Sequence, residues 1–205
     1  GHALRNEISP RQGLIRLREF TIADLEFFFN PEESSCQILK EVENEVLPIL
    51  LCETRLKESD SITKITVHEA LNKKIILSEW QAFFMAQAKC LLVELGVPAE
   101  KQRFIEKLPW EKAHYSSQSF DQEVLVDRWG WVEVSGHAYR TDYDLACHMK
   151  ASGVDMTVYK ECFEPIETEE IIVKPIMAKL GPIYKNEAGK VAAEIAKIPT
   201  QQIID

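Results

Sequence analysis

LRNEISPRQGLIRLREF, residues 4–20, is the stretch that decides the fold. Charged and apolar residues alternate along it on both sides of Pro-Arg-Gln-Gly, residues 10–13, and such alternation around a turn sequence is typical of a β-hairpin. A two-residue period places every second side chain on the same face of a sheet. The hairpin is therefore expected to present one polar face, made of Arg5, Glu7, Arg16, Arg18 and Phe20.

The chemistry of this face suits a nucleotide. Guanidinium groups grip phosphate oxygens in a bidentate manner, and an aromatic ring such as that of Phe20 stacks on a base. Ile15 and Leu17 are expected to point toward the core. The alternative is an exposed hairpin whose charges are simply solvated, since one face of an antiparallel sheet commonly meets water.

Composition narrows the class of protein. The chain has 205 residues, 45% of them apolar, which is enough for one or two domains with a core. Its formal net charge of −9 argues against a nonspecific nucleic-acid coat, although four arginines against two glutamates in residues 1–20 concentrate positive potential at the hairpin. No apolar run approaches the roughly 18 residues of a membrane span. Five cysteines without a Cys-x-x-Cys pair indicate reduced thiols, so a cytoplasmic location is expected.

Hydrophobic periodicity predicts the remaining elements. Helices are expected at residues 22–30, at 32–51 with a break at Pro48, at 79–95 behind a Ser78 cap, at 97–108 and at 186–198. Strands are expected at residues 62–67, 124–127, 131–134 and 171–173. The large apolar side chains of the helix at 79–95 indicate core packing rather than a cofactor site.

Three segments carry a family resemblance. Arg5-Asn6-Glu7 followed by Arg16 and Phe20 resembles the second signature motif of class II aminoacyl-tRNA synthetases, and the longer string resembles glycyl-tRNA synthetases of the archaeal and eukaryotic type. Residues 111–121 and 130–145 are similar to further segments of that family, the latter with a Gly-Trp-x-Glu sequence. Residues 33–110 match this family poorly, and after Met149 the resemblance fades.

The resemblance implies an α+β fold, in which an antiparallel β-sheet of the class II catalytic core carries packed helices and a helical insertion. Residues 1–32 would form the motif 2 hairpin and the following helix, 33–110 a helical insertion, 111–152 core strands and a loop, and 153–205 a second insertion. The hairpin and residues 124–140 are expected to lie side by side in one antiparallel sheet, with Arg5 and Glu133 on its open face.

The resemblance also implies roles for individual residues. Arg5, Glu7 and Arg16 would be catalytic and would bind ATP together with Phe20: Arg5 at the α-phosphate, Glu7 at the adenine amino group, Arg16 at the outer phosphates and Phe20 on the adenine ring. Glycine would be bound by Asp24 and Glu133, which meet its ammonium group, and by Arg140. His114 and Asp121 belong to a loop that the family places beside the active site.

The residues themselves leave alternatives open for this second group. Glu133 shares a strand face with Trp131 and is able to point at a ligand, but it could instead pair with Arg140. Arg140 precedes a helix N-terminus, where anions are favoured, and Asp142 could serve there as a cap. His114 could be an ordinary surface histidine.

The implied function is ATP-dependent activation of glycine and its transfer to the 3′ end of tRNA. ATP, glycine, the tRNA acceptor end and Mg²⁺ are the expected ligands, with the Mg²⁺ ligands outside this chain, and the parent enzyme is expected to be a homodimer. Motifs 1 and 3 of the class are not recognisable, so the chain is expected to be an inactive fragment of a ligase. A synthetase-like accessory subunit without catalysis, or an independent nucleotide-binding module, is the alternative.

Overall fold

A computed structural model describes residues 1–158 and 174–196. The chain divides into two compact units, Gly1–Met156 and Thr157–Asp205, and the described part is α+β, as the sequence predicted. None of the helices in the described ranges has the length and hydropathy that crossing a bilayer would require.

A five-stranded sheet forms the centre of the first unit. Its strands are β3 (Val46–Leu50), β4 (Thr63–Thr66), β5 (Gln102–Glu106), β6 (Gln118–Val126) and β7 (Gly130–Tyr139). In space the order is β4-β3-β5-β6-β7, and every neighbouring pair is antiparallel except β3 and β5, which run parallel. The sheet is therefore mixed, and the prediction of a wholly antiparallel sheet was wrong.

Four helices accompany this sheet. They are α1 (Cys52–Leu56), α2 (Val67–Asn72), α3 (Glu79–Glu94) and α4 (Tyr143–Ser152). The long helix α3 begins as predicted, with the hydroxyl of Ser78 accepting a hydrogen bond from the Gln81 N–H. Phe83 and Met85 of α3 join Phe104 and Phe120 of the sheet in the core. Each of the two sheet phenylalanines is fully buried, which contributes about 1.5–3 kcal/mol.

Two predicted helices are strands instead. Residues 32–51 contain β3, because the run Leu47–Leu50 is buried on both faces of the sheet, where a continuous apolar run is as compatible with a strand as with a helix. Pro48 fits because the pairing with β5 begins only at Ile49. Residues 97–108 contain β5, whose Gln102 and Phe104 are buried at a spacing of two. The predicted helical insertion at 33–110 thus contributes three strands to the sheet.

The predicted hairpin forms only at its ends. Strands β1 (His2–Leu4) and β2 (Glu19–Thr21) pair antiparallel with Ala3 opposite Phe20, and they make a separate two-stranded sheet. Between them lies a loop with one 3-10 turn at Gly13–Ile15. Ile15 and Leu17 are exposed rather than core-facing. Burial of these side chains therefore does not stabilise strand pairing beyond the short β1–β2 ladder. The prediction that the hairpin and residues 124–140 share one sheet was wrong.

Residues 22–30 form neither a helix nor any other regular secondary structure. The ring of Phe27 packs against Trp80 of α3 with centroids 4.3 Å apart, and Phe29 stacks on Tyr139 of β7 at 6.0 Å. Side chains two residues apart point to the same side of the chain in an extended backbone but not in a helix, and Phe27 and Phe29 both pack onto the first unit. Tertiary packing therefore overrides the helical pattern of this segment.

The second unit contains a short helical pair. Helix α5 (Met177–Tyr184) is followed by a 3-10 turn and by α6 (Ala188–Ile195), which confirms the helix predicted from residue 186 over its described part. The predicted strand at 171–173 lies outside the described residues.

Candidate functional site

One face of strands β5 to β7 is not covered by α3 and carries two of the predicted residues, Asp121 and Glu133; we call it the open face. On β6 the even-numbered residues are buried in the core, so Asp121 and Glu123 point to the opposite side. The strand register places Ile105 and Gly136 beside Asp121, and Arg103 and Glu133 beside Glu123. The open face thus bears Arg103, Lys107, Asp121, Glu123, Trp131 and Glu133.

Ion pairs occupy two of its three carboxylates. Arg103 Nε lies 2.8 Å from Glu123 Oε2, with its guanidinium carbon 4.2 Å from the Trp131 ring centroid. Lys107 forms an ion pair with Asp121. Glu133 has no ion-pair partner in the part of the chain that the structure describes. Partial burial, and then the nearby Asp121, raise the pKa of Glu133 above its ordinary value.

A β-bulge decides which residues of β7 reach this face. Glu123 pairs with Glu133 but Gln122 pairs with Ser135, so Val134 is the extra residue. The bulge reverses the alternation, and beyond it Gly136 and Ala138 lie on the open face. His137 consequently faces the core beside Phe104, at a ring-centroid distance of 5.6 Å.

His137 is a structural histidine. Its Nε2 lies 3.0 Å from Ser135 Oγ, which in turn donates a hydrogen bond to Gln122 Oε1 at 2.8 Å. Burial lowers the pKa of His137 to about 4, so the ring is neutral at physiological pH.

The hairpin brings its predicted residues together. The guanidinium carbon of Arg5 lies 5.2 Å from the Phe20 ring centroid, and Arg16 Nη1 lies 3.8 Å from Glu7 Oε1. Arg18 Nε donates a hydrogen bond to the Glu7 carbonyl oxygen at 3.0 Å, which fixes the loop between the strands.

The hairpin also lies next to the open face. The charge of Arg5 acts on Glu133 and partly offsets the rise of its pKa, so the two side chains are electrostatic neighbours. At the far end of the hairpin, Gly13 contacts the Trp129 ring: a Cβ added there would lie 3.9 Å from a ring carbon. Two separate sheets therefore place Arg5 and Glu133 in one electrostatic environment.

Arg140 directly follows β7 and is held by its neighbours. Its Nε donates to Asp144 Oδ2 at 2.8 Å, and its guanidinium carbon lies 4.2 Å from the Tyr115 ring centroid. The bond to Asp144 raises the Arg140 pKa, and the nearby charge of Glu26 adds to this effect. Arg140 thus pairs with Asp144 rather than with Glu133. Asp142 occupies the N-cap position of α4 without a side-chain capping bond.

A pocket of about 260 Å³ opens beside Asp121. Lys107, Asp121, Gly136, Ala138 and Tyr115 are among its lining residues. Its lip is the loop after β5, where Arg55 binds both carboxylate oxygens of Glu111 at 2.7 and 2.8 Å. This fork fixes the loop in place.

Two predicted residues remain at the protein surface. His114 is exposed, and its ring lies 5.3 Å from Tyr115 and 5.6 Å from Tyr143. Asp24 is exposed in the segment 22–30. Neither of them, nor Glu133, is among the residues that line the pocket.

Lys107 and Gly136 were not among the residues predicted from the sequence. Lys107 follows Arg103 and Ile105 at a spacing of two, which places it on the same face once β5 is recognised as a strand. Gly136 required the bulge at Val134, for which the sequence has no clear signal.

The described residues contain no group of three or more His, Cys, Asp or Glu side chains suited to a metal ion. Asp121 and Glu123 are already paired with Lys107 and Arg103. Within the described residues, these two carboxylates are therefore not free to hold Mg²⁺.

Relatives of this chain are glycine–tRNA ligases of archaea. The chain is 43% identical over 203 residues to the glycine–tRNA ligase of Pyrococcus horikoshii, and this alignment covers 99% of the chain and 35% of the relative. It is 42% identical over 203 residues to the glycine–tRNA ligase of Pyrococcus furiosus, in an alignment that covers 99% of the chain and 36% of the relative. With the Aeropyrum pernix protein the identity is 42% over 200 residues, 97% of the chain and 34% of the relative. No protein-family model matches.

The similarity runs along nearly the whole chain, including residues 33–110 and the part after Met149. The predicted resemblance to archaeal-type glycyl-tRNA synthetases is therefore confirmed, and the alignment extends beyond the three segments that indicated it. The chain spans about 35% of the length of the curated relatives that it matches.

Proposed function

We propose that this chain is part of a glycine–tRNA ligase and that its hairpin and open face bind ATP and glycine for the formation of glycyl-adenylate. The observation that carries the proposal is the position of the Arg5 guanidinium, a phosphate-binding group, over the Phe20 ring, with the unpaired carboxylate of Glu133 within range of the Arg5 charge. Similarity to glycine–tRNA ligases over 99% of the chain supports it.

ATP would bind along the hairpin. In this arrangement Arg5 holds the α-phosphate, Phe20 stacks on the adenine ring, Glu7 accepts from the adenine amino group and Arg16 holds the outer phosphates. Arg16 and Glu7 are 3.8 Å apart and the Arg16 side chain is 53% exposed, so their ion pair is weak and easily exchanged for phosphate and adenine contacts.

Glycine would bind on the open face. Glu133 is the carboxylate there whose raised pKa a cationic ligand would relieve, so it is suited to the ammonium group, with Asp24 as a second carboxylate and Arg140 completing the site. Gly136 and Ala138, which have the two smallest side chains, line the adjoining pocket. Selectivity for glycine would come from exclusion, since a crowded pocket leaves no room for a substrate side chain. His114 and Asp121 border this site.

The reaction has two steps. A carboxylate oxygen of glycine attacks the α-phosphorus of ATP and pyrophosphate leaves; the terminal ribose hydroxyl of tRNA then attacks the adenylate carbonyl carbon and AMP leaves. Arg5 stabilises the charge that develops on the α-phosphate oxygens, while Glu133 orients glycine through its ammonium group. Positioning and charge neutralisation account for the protein's part in both steps.

The proposal extends to the parent protein. Its five-stranded sheet with flanking helices would belong to a class II catalytic core, and the whole ligase would be a cytoplasmic homodimer that receives the acceptor end of tRNA. Residues 1–32 and 111–152 would supply the site, with 33–110 contributing β3, β4 and β5 to the core sheet and 153–205 as an inserted part.

The test is glycine-dependent ATP–pyrophosphate exchange by the full-length protein that contains this sequence. We expect exchange with glycine and at least 100-fold less with L-alanine or L-serine at equal concentration. A folded protein that binds ATP without any amino-acid-dependent exchange would overturn the proposal and would support an accessory, nucleotide-binding subunit.

A further inference from the structure

The open face has an orderly pattern of charges. Its cations are Arg103 on β5 and Lys107 just beyond β5, four residues apart on the same face. Arg103 lies directly opposite its partner Glu123, whereas Lys107 lies opposite Ser119 and reaches diagonally to Asp121. Arg103 forms an ion pair with Glu123, and Lys107 forms one with Asp121. Glu133 on β7 is one strand further from these cations and has no ion-pair partner within the described part of the chain.

Lys107 is the member of this pattern closest to the proposed substrate site. Its N–H donates to the Ser119 carbonyl oxygen at 3.0 Å, which continues the β5–β6 ladder and fixes the backbone from which the side chain reaches Asp121. Both partners of the pair are largely buried and both line the pocket. The ammonium of Lys107 also acts on Glu133, and it opposes the effect of Asp121.

We propose that Lys107 is a positioning residue. It holds Asp121 in an ion pair, so that Glu133 is the carboxylate that remains available to bind the amino group of the substrate. This inference rests on the proposed function, because it assigns Lys107 to the ammonium half of the glycine site. Without Lys107, two carboxylates would share one partly desolvated site, and like charges at short range favour protonation of one of them.

The direction of the effect follows from the groups that face Glu133. These are Asp121 and Glu123 on β6, Lys107 beyond β5 and Arg5 on the hairpin. Replacing Lys107 by methionine removes one cation and uncovers Asp121, and both changes raise the pKa of Glu133. Replacing Asp121 by asparagine removes the opposing anion and releases Lys107, and both changes lower it.

The first experiment is independent of activity. Side-chain ¹³C NMR of the 205-residue chain, with the Glu133 carboxyl signal assigned through Glu133→Gln, follows its titration in Lys107→Met, Lys107→Arg, Asp121→Asn and the double variant Lys107→Met/Asp121→Asn. We expect the midpoint to rise by about one pH unit in Lys107→Met, to stay at the parent value in Lys107→Arg and to fall in Asp121→Asn. In the double variant the Glu133 midpoint should return most of the way from the Lys107→Met value to the parent value.

An unchanged Glu133 midpoint in a folded Lys107→Met chain would overturn the proposal. If that variant does not fold, Asp121→Asn provides the test. A Glu133 titration midpoint that does not fall in Asp121→Asn would show that the Lys107–Asp121 pair does not influence Glu133, and would also overturn the proposal. Equal shifts in Lys107→Met and the double variant would show that uncovering Asp121 is not the cause.

The second experiment uses the full-length enzyme. The KM for glycine should rise several-fold at pH 6 in Lys107→Met and approach the parent value at pH 8, while kcat at saturating glycine stays within about twofold. A KM that does not depend on pH, or an equal loss in kcat, would contradict the role. Inactivity of the unchanged enzyme would instead count against the proposed function and would leave the NMR result standing.

Discussion

The guanidinium of Arg5 lies over the ring of Phe20, with 5.2 Å between the guanidinium carbon and the ring centroid. The short ladder of β1 and β2 sets this contact, because Ala3 pairs with Phe20 and the Arg5 N–H donates to the Arg18 carbonyl oxygen at 2.9 Å. The residues proposed for the α-phosphate and for adenine are thus coupled before any ligand binds.

Substituting Phe20 tests the adenine contact. In the full-length enzyme, Phe20→Ala should raise the KM for ATP roughly tenfold, since base–aromatic stacking is worth about 1–3 kcal/mol and 1.4 kcal/mol corresponds to a factor of ten. Phe20→Tyr keeps the ring and should stay near the parent value. ATP-dependent exchange kinetics measure both, and equal KM values for Phe20→Ala and the parent would remove Phe20 from the site.

Substituting Gly136 tests the exclusion of larger ligands. A Cβ at Gly136 would lie 4.0 Å from Asp121 Oδ1, an ordinary contact, so Gly136→Ala should leave the melting temperature within a few degrees. The added methyl group narrows the pocket, and the KM for glycine should rise about tenfold. Gly189→Ala, where a Cβ meets nothing within 4 Å, is the matched control. A Gly136→Ala enzyme with unchanged glycine kinetics would place the substrate elsewhere.

His137 predicts a pH dependence of stability. Its pKa is about 4 in the fold and about 6.5 when unfolded, so between these values the unfolded chain binds more protons and stability falls as pH falls. The contribution lost between pH 7 and pH 5 is about 2 kcal/mol. His137→Gln should reduce this part of the loss when free energies of unfolding from urea titrations at the two pH values are compared. Equal pH sensitivity of the two proteins would show that His137 is not buried and neutral.

Local signals predicted some elements well. Ser78 and the apolar run behind it predicted α3 within one residue, because the cap and the periodicity agree. Arg128, Trp129 and Gly130 likewise mark the turn between β6 and β7, where Gly130 has a φ of +73°. These features depend on neighbours in sequence and need no knowledge of the rest of the fold.

Other features depend on contacts that are distant in sequence. Phe27 lies outside any helix because Trp80, more than fifty residues away, receives its ring. The bulge at Val134 changes the faces of Gly136 and His137 although the residues themselves alternate regularly. The motif residues Arg5, Glu7, Arg16 and Phe20 were found from the family resemblance, whereas Lys107 was found only from the register of β5 and β6.

Arg5 provides the most direct test of the central claim, that the hairpin and open face activate glycine. Its contact within the described chain is the Phe20 ring, while Glu7 pairs with Arg16 and Glu19 with His2, so its loss breaks no ion pair there. The measurement is the rate of glycine-dependent ATP–pyrophosphate exchange by the full-length enzyme with Arg5→Gln, beside Arg11→Gln as a control in the same hairpin.

We expect Arg5→Gln to lower the exchange rate roughly 100-fold or more, on the scale of about 3 kcal/mol for a group that stabilises a transition state, and Arg11→Gln to leave it unchanged. Both variants should melt within a few degrees of the parent, since exposed arginines contribute little to stability. Exchange at the parent rate in Arg5→Gln, or a loss of rate matched by an equal loss of stability, would contradict the account.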